Sequence, residues 1–372
     1  MGTINDKDLG KKLEKEYADL KQQIQKPNIL IAGATGVGKS SIINMVFGKD
    51  VAVVGTGKPV TQKIDVYESE KVDVRIFDSK GYEIGADEEF FDSVINLAAT
   101  TKSPENAIHL IWYCVATSGA RVTDYDMNAL KAFSASNIPV AVVFTKADLA
   151  TDEEVTAMKA ILPEPLKECV FETSTKLPQY NHLQELIQWS VDKLPESLRF
   201  AFIKSQIVDL ASKQKTARRY IIEHCATAFG IGFAPIPASD APLLIANETT
   251  MLARILYLYD LGTVSDMLKG AGLGAILGNL LAMGGKAAAG ALIKAIPGGQ
   301  LVGGLISGTV GSSITAALGE AANVACYEIS KARLCGDYAK AEEMIREFGP
   351  TILESATQWL KAKKTVNDIP KE

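Results

Sequence analysis

A glycine-rich run that ends in Lys-Ser is the first segment whose residue types and spacing could do chemistry. Residues 33–40 read Gly-Ala-Thr-Gly-Val-Gly-Lys-Ser and match GxxxxGK[ST] at every defined position. Glycines let backbone N–H groups curl around a phosphate, and the start of a following helix adds partial positive charge. The lysine can reach the outer phosphates and the serine hydroxyl can ligate Mg²⁺. The predicted phosphate-binding residues are Gly33, Ala34, Thr35, Gly36, Val37, Gly38, Lys39, Ser40 and Ser41.

A second motif follows an apolar strand at 72–77, which ends in Asp78-Ser79-Lys80-Gly81 and has the form DxxG. At the carboxyl end of a strand, the Asp78 carboxylate can hold Mg²⁺ through water while the Gly81 N–H faces the outermost phosphate. Alone this pattern is weak, but its position after a phosphate loop makes it informative.

Between these motifs, residues 55–62 read Gly-Thr-Gly-Lys-Pro-Val-Thr-Gln. A mobile loop with a threonine is expected here, because it can complete Mg²⁺ coordination only when the terminal phosphate is present. We predict Thr61, since it directly precedes an edge strand, and Thr56 is the alternative. The predicted metal ligands are therefore Ser40, Thr61 and Asp78, and the predicted catalytic residues are Lys39, Thr61 and Gly81.

Base recognition is predicted at the ends of two later strands. Residues 145–148, Thr-Lys-Ala-Asp, are a variant of NKxD in which threonine replaces asparagine. Asp148 can accept hydrogen bonds from guanine N1–H and the 2-amino group, a pair that adenine cannot donate. The Lys146 stem can pack on the base, and a backbone N–H of 172–176, which we assign to Thr175, can donate to guanine O6. The predicted base-binding residues are Thr145, Lys146, Asp148, Ser174, Thr175 and Lys176.

The elements that position these motifs alternate between strands and helices. Strands are predicted at 28–32, 63–68, 72–77, 107–115, 138–144 and 169–172, and helices at 39–47, 86–100, 124–135, 152–161 and 182–193. This alternation predicts an α/β fold with a mostly parallel sheet and helices on both faces. The very short turn between the second and third strands permits only antiparallel pairing, so one antiparallel edge strand is expected.

Outside these elements, the sequence predicts helices. We divide the whole chain into an N-terminal helix within 1–27, the nucleotide-binding domain at 28–195 and an all-α bundle at 196–372. Residues 262–319 hold 15 of the 30 glycines. Two interpretations of this glycine-rich hairpin stay open: a tight hairpin buried in the bundle, or a segment that enters or binds a membrane.

Composition narrows the class of protein. Apolar residues make up 47% and charged residues 22%, and the net charge of −5 gives no electrostatic reason to expect a nucleic-acid binder. The five cysteines are scattered without a CxxC pair, and the first residues are charged rather than apolar. We therefore expect a cytoplasmic protein, with peripheral or conditional membrane association as the alternative.

With all five motifs in order, residues 28–195 resemble the Era-like GTPases of the translation-factor-related (TRAFAC) class. The resemblance implies GTP and GDP as ligands, Mg²⁺ as cofactor, GTP hydrolysis and a conformational cycle. Tyr82 occupies the position of the water-orienting glutamine of small GTPases. Slow intrinsic hydrolysis is therefore expected, with another group, a partner or the second G domain of a homodimer compensating.

The second half carries a less specific resemblance. Residues 233–240, the helix with Met251 and Arg254, and the glycine-rich hairpin look like the bacterial domain of unknown function 697 of YcjF-like proteins. The whole arrangement is similar to that of the immunity-related GTPases. The predicted function is a nucleotide-dependent switch whose helical domain responds to the nucleotide. In one form of this hypothesis, the switch acts at a membrane. The alternatives are a ribosome- or RNA-associated Era-like GTPase and a dynamin-like membrane-remodelling GTPase.

Overall fold

The computed structural model describes residues 6–48, 58–61, 64–68, 72–79, 107–177, 181–233, 240–262, 302–362 and 364–370. The chain forms two compact units. One is Ile24–Asp209, and the other joins Met1–Gln23 to Leu210–Glu372. The second unit therefore takes its helices from both ends of the chain.

The first unit contains a sheet of seven strands among the described residues. They are β1 Asn28–Ala32, β2 Lys58–Thr61, β3 Ile64–Glu68, β4 Arg75–Ser79, β5 Leu110–Ala116, β6 Val140–Thr145 and β7 Val170–Glu172, in the order β2-β3-β4-β1-β5-β6-β7. The five strands from β4 to β7 in this order are parallel, and β3 is antiparallel to β4 as predicted. The short strand β2 was not predicted, and it extends the sheet beyond β3.

Helices cover both faces of the sheet, which confirms the predicted α/β fold class. They are α2 Lys39–Phe47, α3 Asp124–Ser134, α4 Asp152–Ala160, α5 Leu183–Lys193 and α6 Glu196–Ser205. Alternate strand residues point to opposite faces. Leu30 and Tyr113 lie in the apolar cluster that α3 and α4 complete, whereas Ile31 and Trp112 lie in the cluster that α2, α5 and α6 complete. The predicted helix at 86–100 lies outside the described residues.

Helix α6 packs against the sheet rather than starting the helical bundle. Phe202 is fully buried and meets the rings of Phe47 and Trp112 edge-on, at centroid distances of 6.1 and 6.2 Å. Lys204 forms a buried ion pair with Asp73, with Nζ 2.9 Å from the carboxylate, and the neighbouring Ser205 hydroxyl accepts from the Asp73 N–H at 2.8 Å. These contacts explain why the compact unit extends to Asp209, beyond the boundary at 195 in the sequence-based division.

The second unit is helical. Its described helices are α1 Asp6–Gln23, α7 Leu210–Phe233, α8 Asp240–Leu258, α9 Val302–Leu334, α10 Tyr338–Arg346 and α11 Phe348–Lys361. Helix α1 packs on α8, where the Tyr17 ring meets that of Tyr257 edge-on at 4.8 Å, and Leu13 of α1 is fully buried. An all-α arrangement of the C-terminal part is thus confirmed.

Part of the predicted glycine-rich hairpin belongs to a helix of this unit. Residues 302–319 form the first half of α9, which packs along α7. A Cβ atom added at Gly319 would lie 2.7 Å from the Ile221 side chain, so the missing side chain permits close helix contact. Among the described residues, no helix has the length and apolarity needed to cross a membrane. Residues 263–301 of the hairpin lie outside the described part of the chain.

The helical unit buries two glutamates in different environments. Glu320 on α9 accepts a hydrogen bond from Arg218 Nε at 2.8 Å, as half of a buried ion pair. Glu248 on α8 is fully buried, and its Oε1 accepts from the Thr315 hydroxyl at 3.3 Å, while Oε2 has no hydrogen-bond partner among the described residues. Burial raises the pKa of Glu248 from its ordinary 4.5 to about 8, with the Thr315 hydrogen bond opposing.

Glu248→Gln should stabilise the protein at alkaline pH and flatten its pH dependence. The folded state holds the Glu248 proton up to about pH 8 whereas the unfolded chain releases it near 4.5, so stability should fall as pH rises between these values. Removing the charge should raise the free energy of unfolding at pH 9 by on the order of 1 kcal/mol or more, with little effect at pH 5. Urea denaturation at both pH values measures this.

The matched control is Glu320→Gln, the same chemical change in the same unit. It should lower the free energy of unfolding by about 1–3 kcal/mol, because the partly buried Arg218 guanidinium loses its carboxylate. If both substitutions destabilised the protein equally at pH 9, the conclusion that ionised Glu248 is unfavourable in the folded protein would be wrong.

Candidate nucleotide site

The loop between β1 and α2 has the backbone geometry of a phosphate cradle. Gly33, Gly36 and Gly38 all have positive φ, at 139°, 76° and 108°. A Cβ atom at Gly33 would lie 2.3 Å from the carbonyl oxygen of Cys114 on β5, so only glycine fits there. Gly38 is the N-cap of α2 and has no side chain to occupy the first N–H groups of the helix. These N–H groups can therefore bind an anion.

Lys39 lies inside this loop. Its side chain is largely buried, and Nζ donates to the carbonyl oxygens of Gly33 at 2.9 Å and Ala34 at 3.1 Å. Burial lowers the pKa of Lys39, while the negative charge of Asp78 opposes this shift. The ammonium group therefore lies within the predicted phosphate cradle and within electrostatic range of a carboxylate.

The predicted magnesium ligands are hard oxygen donors, as Mg²⁺ prefers. Ser40 is exposed on the first turn of α2, and Asp78 is half-buried near the end of β4, paired in register with Ile31 just before the phosphate loop. Thr61 is the last residue of β2. The donor set fits a magnesium ion that takes its remaining ligands from phosphate and water. Gly81 and the alternative Thr56 lie outside the described residues.

The two predicted base-binding loops are held together by hydrogen bonds. The Thr173 N–H donates to the Phe144 carbonyl at 2.7 Å, and the Ala147 N–H donates to the Thr173 carbonyl at 3.0 Å. The buried Ser174 hydroxyl donates to Asp148 Oδ1 at 2.6 Å, which fixes the carboxylate. Thr175 is exposed beside it.

The Ser174 hydroxyl also organises the second loop. It accepts from the N–H groups of Lys176 at 3.0 Å and Leu177 at 3.1 Å. The structure therefore brings the predicted residues Asp148, Ser174 and Lys176 into one arrangement.

The base-binding loop is also joined to the phosphate loop. Lys146 Nζ donates to the Gly36 carbonyl at 2.8 Å, and the Thr145 hydroxyl donates to the Val37 carbonyl. Thr145 thus makes a contact to the phosphate loop from the position that asparagine occupies in NKxD. These hydrogen bonds join the phosphate loop after β1 to the base-binding loop after β6.

Thr117 is a residue of this site that sequence analysis missed. It follows β5, is fully buried, and its hydroxyl donates to the carbonyl oxygens of Lys146 at 2.7 Å and Thr145 at 3.3 Å. Lys146 has φ of 54°, a left-handed conformation that is unfavourable for lysine. The Thr117 hydroxyl helps to hold this backbone. The sequence feature that could have identified Thr117 was its position directly after β5, the strand that pairs with β6.

Comparison with known proteins places this site in context. Residues 28–146 match a family model described as "50S ribosome-binding GTPase". The chain is 25% identical over 207 residues to neuronal-specific septin-3 of Danio rerio, covering 48% of this chain and 56% of that protein. It is 31% identical over 125 residues to the tRNA modification GTPase MnmE of Herminiimonas arsenicoxydans, covering 33% of this chain and 26% of that protein. The chain therefore spans about half and about a quarter of the lengths of these relatives.

Among solved structures, the crystal structure of a probable GTP-binding protein engB is similar, with 18% identity and a TM-score of 0.31. That alignment covers 45% of this chain and 97% of the other. The family match spans the phosphate loop, β1, β4, β5 and β6, and it ends before Asp148 and the loop that follows β7. The first unit of this chain therefore has the fold of a P-loop GTPase domain.

Proposed function

We propose that this chain is a molecular switch that binds GTP and GDP with Mg²⁺ and hydrolyses GTP. The observation that carries the proposal is the joined surface made by the phosphate loop and the base loop, in which Lys146 binds Gly36 and Ser174 binds Asp148. A cradle of N–H groups at one end suits phosphate, and a fixed carboxylate at the other end suits the guanine donor pair.

In this proposal, backbone N–H groups of 33–41 bind the β-phosphate, and Lys39 neutralises charge on the β- and γ-phosphates. Ser40, Thr61 and Asp78 hold Mg²⁺, which when bound would neutralise the phosphate oxygens. Gly81, which lies outside the described residues, is the residue we assign to donate a backbone N–H to the γ-phosphate. Tyr82 has no side-chain amide to orient the attacking water. Intrinsic hydrolysis is therefore slow until a partner or the second G domain of a homodimer supplies the missing group.

The helical unit responds to the nucleotide in this proposal. Asp73, which precedes β4, pairs with Lys204 of α6, and α6 is followed within a few residues by α7 of the helical unit. A shift of Asp78 at the other end of β4 could therefore be passed along the strand to α6 and the chain beyond. The switch would act in the cytoplasm or at a membrane surface, in line with the Era-like, 697-domain and immunity-related GTPase resemblances.

A second candidate function is action on the ribosome or on RNA. It is favoured by the description of the matching family model, "50S ribosome-binding GTPase", and by a relative that is a tRNA modification GTPase. The net charge of −5 opposes it. Co-sedimentation with ribosomes in the presence of GDP or a non-hydrolysable GTP analogue separates the two functions.

Asp148→Asn should change the base that the site accepts. The amide offers a donor where guanine also donates, so GTP affinity should fall at least about 100-fold and affinity for xanthosine triphosphate should rise. Competition against a fluorescent GTP analogue measures both affinities. The control is Asp192→Asn, an exposed aspartate on α5, which should leave both unchanged. Equal competition by ATP and GTP against the unmodified protein would exclude guanine recognition.

Thr117→Val should weaken GTP and GDP binding to a similar degree. Valine keeps the shape but removes the hydroxyl that binds the carbonyl oxygens of 145 and 146, which should cost about 1–2 kcal/mol, or roughly tenfold in affinity. Isothermal titration with GDP and with a GTP analogue tests this. Thr117→Ser retains the donor and should bind nearly normally. Normal binding by Thr117→Val together with loss of affinity in Thr117→Ser would show that the methyl group, rather than the hydroxyl, matters.

A further inference from the structure

The helical unit carries a groove that the nucleotide site does not use. Helix α9 forms one wall, and α10 and α11 form the other, around a cavity of about 280 Å³. Ala321, Val324, Ala325 and Ile329 line it from α9 at the spacing of one helix face, and Met344 lines it from α10. The floor is therefore apolar. Val324 is 46% exposed, so part of that floor is open to water.

All charged residues that line this groove are acidic. Glu328 lies on α9, while Glu343 and Glu347 lie on α10 and at the start of α11. All three are exposed, and within the described part of the chain no Lys, Arg or His side chain comes within ion-pair distance of them. Lys340 and Arg346 lie beside Glu343 and Glu347, but neither of these basic residues lines the groove.

We propose that this groove binds a basic amphipathic helix of a protein partner. The apolar floor suits one or two inserted side chains as anchors, and the acidic rim suits lysine or arginine on either side of the partner's apolar stripe. The lining residues of α9 span 321–329, roughly 12 Å of helix, which corresponds to about two turns of a docked helix. None of the residues that line the groove belongs to the nucleotide site.

Charge complementarity decides between kinds of occupant. An acidic helix would place like charges against the three carboxylates that line the groove, which costs affinity. A basic helix offers cations to these carboxylates and is attracted toward the rim before contact. The attraction should weaken with salt, since the rim is exposed to solvent.

The test uses two synthetic 18-residue helical peptides with the same leucine stripe, one flanked by lysine and the other by glutamate. Fluorescence anisotropy with the full chain measures their binding. The lysine peptide should bind at least about tenfold more tightly than the glutamate peptide, and this preference should shrink at high salt. Equal binding of the two peptides would overturn the proposal.

Charge-reversal variants locate the binding. Glu328→Lys with Glu343→Lys should lower affinity for the lysine peptide at least about tenfold and raise affinity for the glutamate peptide. The control carries the same charge change at exposed positions that do not line the groove, Glu342→Lys with Glu354→Lys, and should retain most of the binding. If the control loses as much as the reversal, general charge attraction explains the binding and the proposal fails.

A substitution in the apolar floor tests whether the peptide inserts a side chain into the groove or only contacts its charged rim. Val324→Ser should weaken binding of the lysine peptide several-fold, because the anchor loses apolar contact. Leu334→Ser is the control, since Leu334 lies on the same helix, is 47% exposed and does not line the groove. Circular dichroism confirms that each variant is folded. Unchanged binding by Val324→Ser would mean that no side chain is inserted, which contradicts the proposal.

Discussion

Parallel pairing of β4, β1, β5, β6 and β7 places the carboxyl ends of five strands at one edge of the sheet. Asp78 lies near the end of β4, and the phosphate loop, Thr117 and the two base-binding loops each follow one of the other four strands. The register is fixed because both faces of the sheet are buried, and a shift by one residue would turn each strand's apolar residues to the wrong face. Hydrogen bonds between the loops then set the final geometry, with Lys146 on Gly36 and Ser174 on Asp148.

Motifs that need particular residue types at fixed spacing could be predicted from sequence. The phosphate loop requires glycine at positions 33, 36 and 38, where the backbone φ angles are positive. The antiparallel pairing of β3 and β4 followed from the short turn alone. In both cases the constraint acts between residues that are close in the chain.

Features that depend on distant residues were not predicted. Thr117 acts on backbone carbonyls of 145 and 146, which any residue would offer, so no local pattern marks it. Helix α6 has an apolar face that could cover either a sheet or another helix. Its place on the sheet is set by contacts with distant residues, such as that of Phe202 with Trp112. The glycine-rich composition of 302–319 suited either a membrane or a bundle, and in α9 Gly319 fits against Ile221 of α7.

The second unit takes helices from both ends of the chain, and this affects how the protein can be made. Helix α1 leaves the ribosome first, yet its partner α8 is complete only at Leu258. At bacterial or eukaryotic synthesis rates the interval is roughly 10 to 50 seconds. During that time the apolar side of α1, with Leu13 and Tyr17, has no α8 to pack against, while the GTPase domain between them can already fold. Completion of the helical unit must therefore follow completion of the GTPase domain during synthesis.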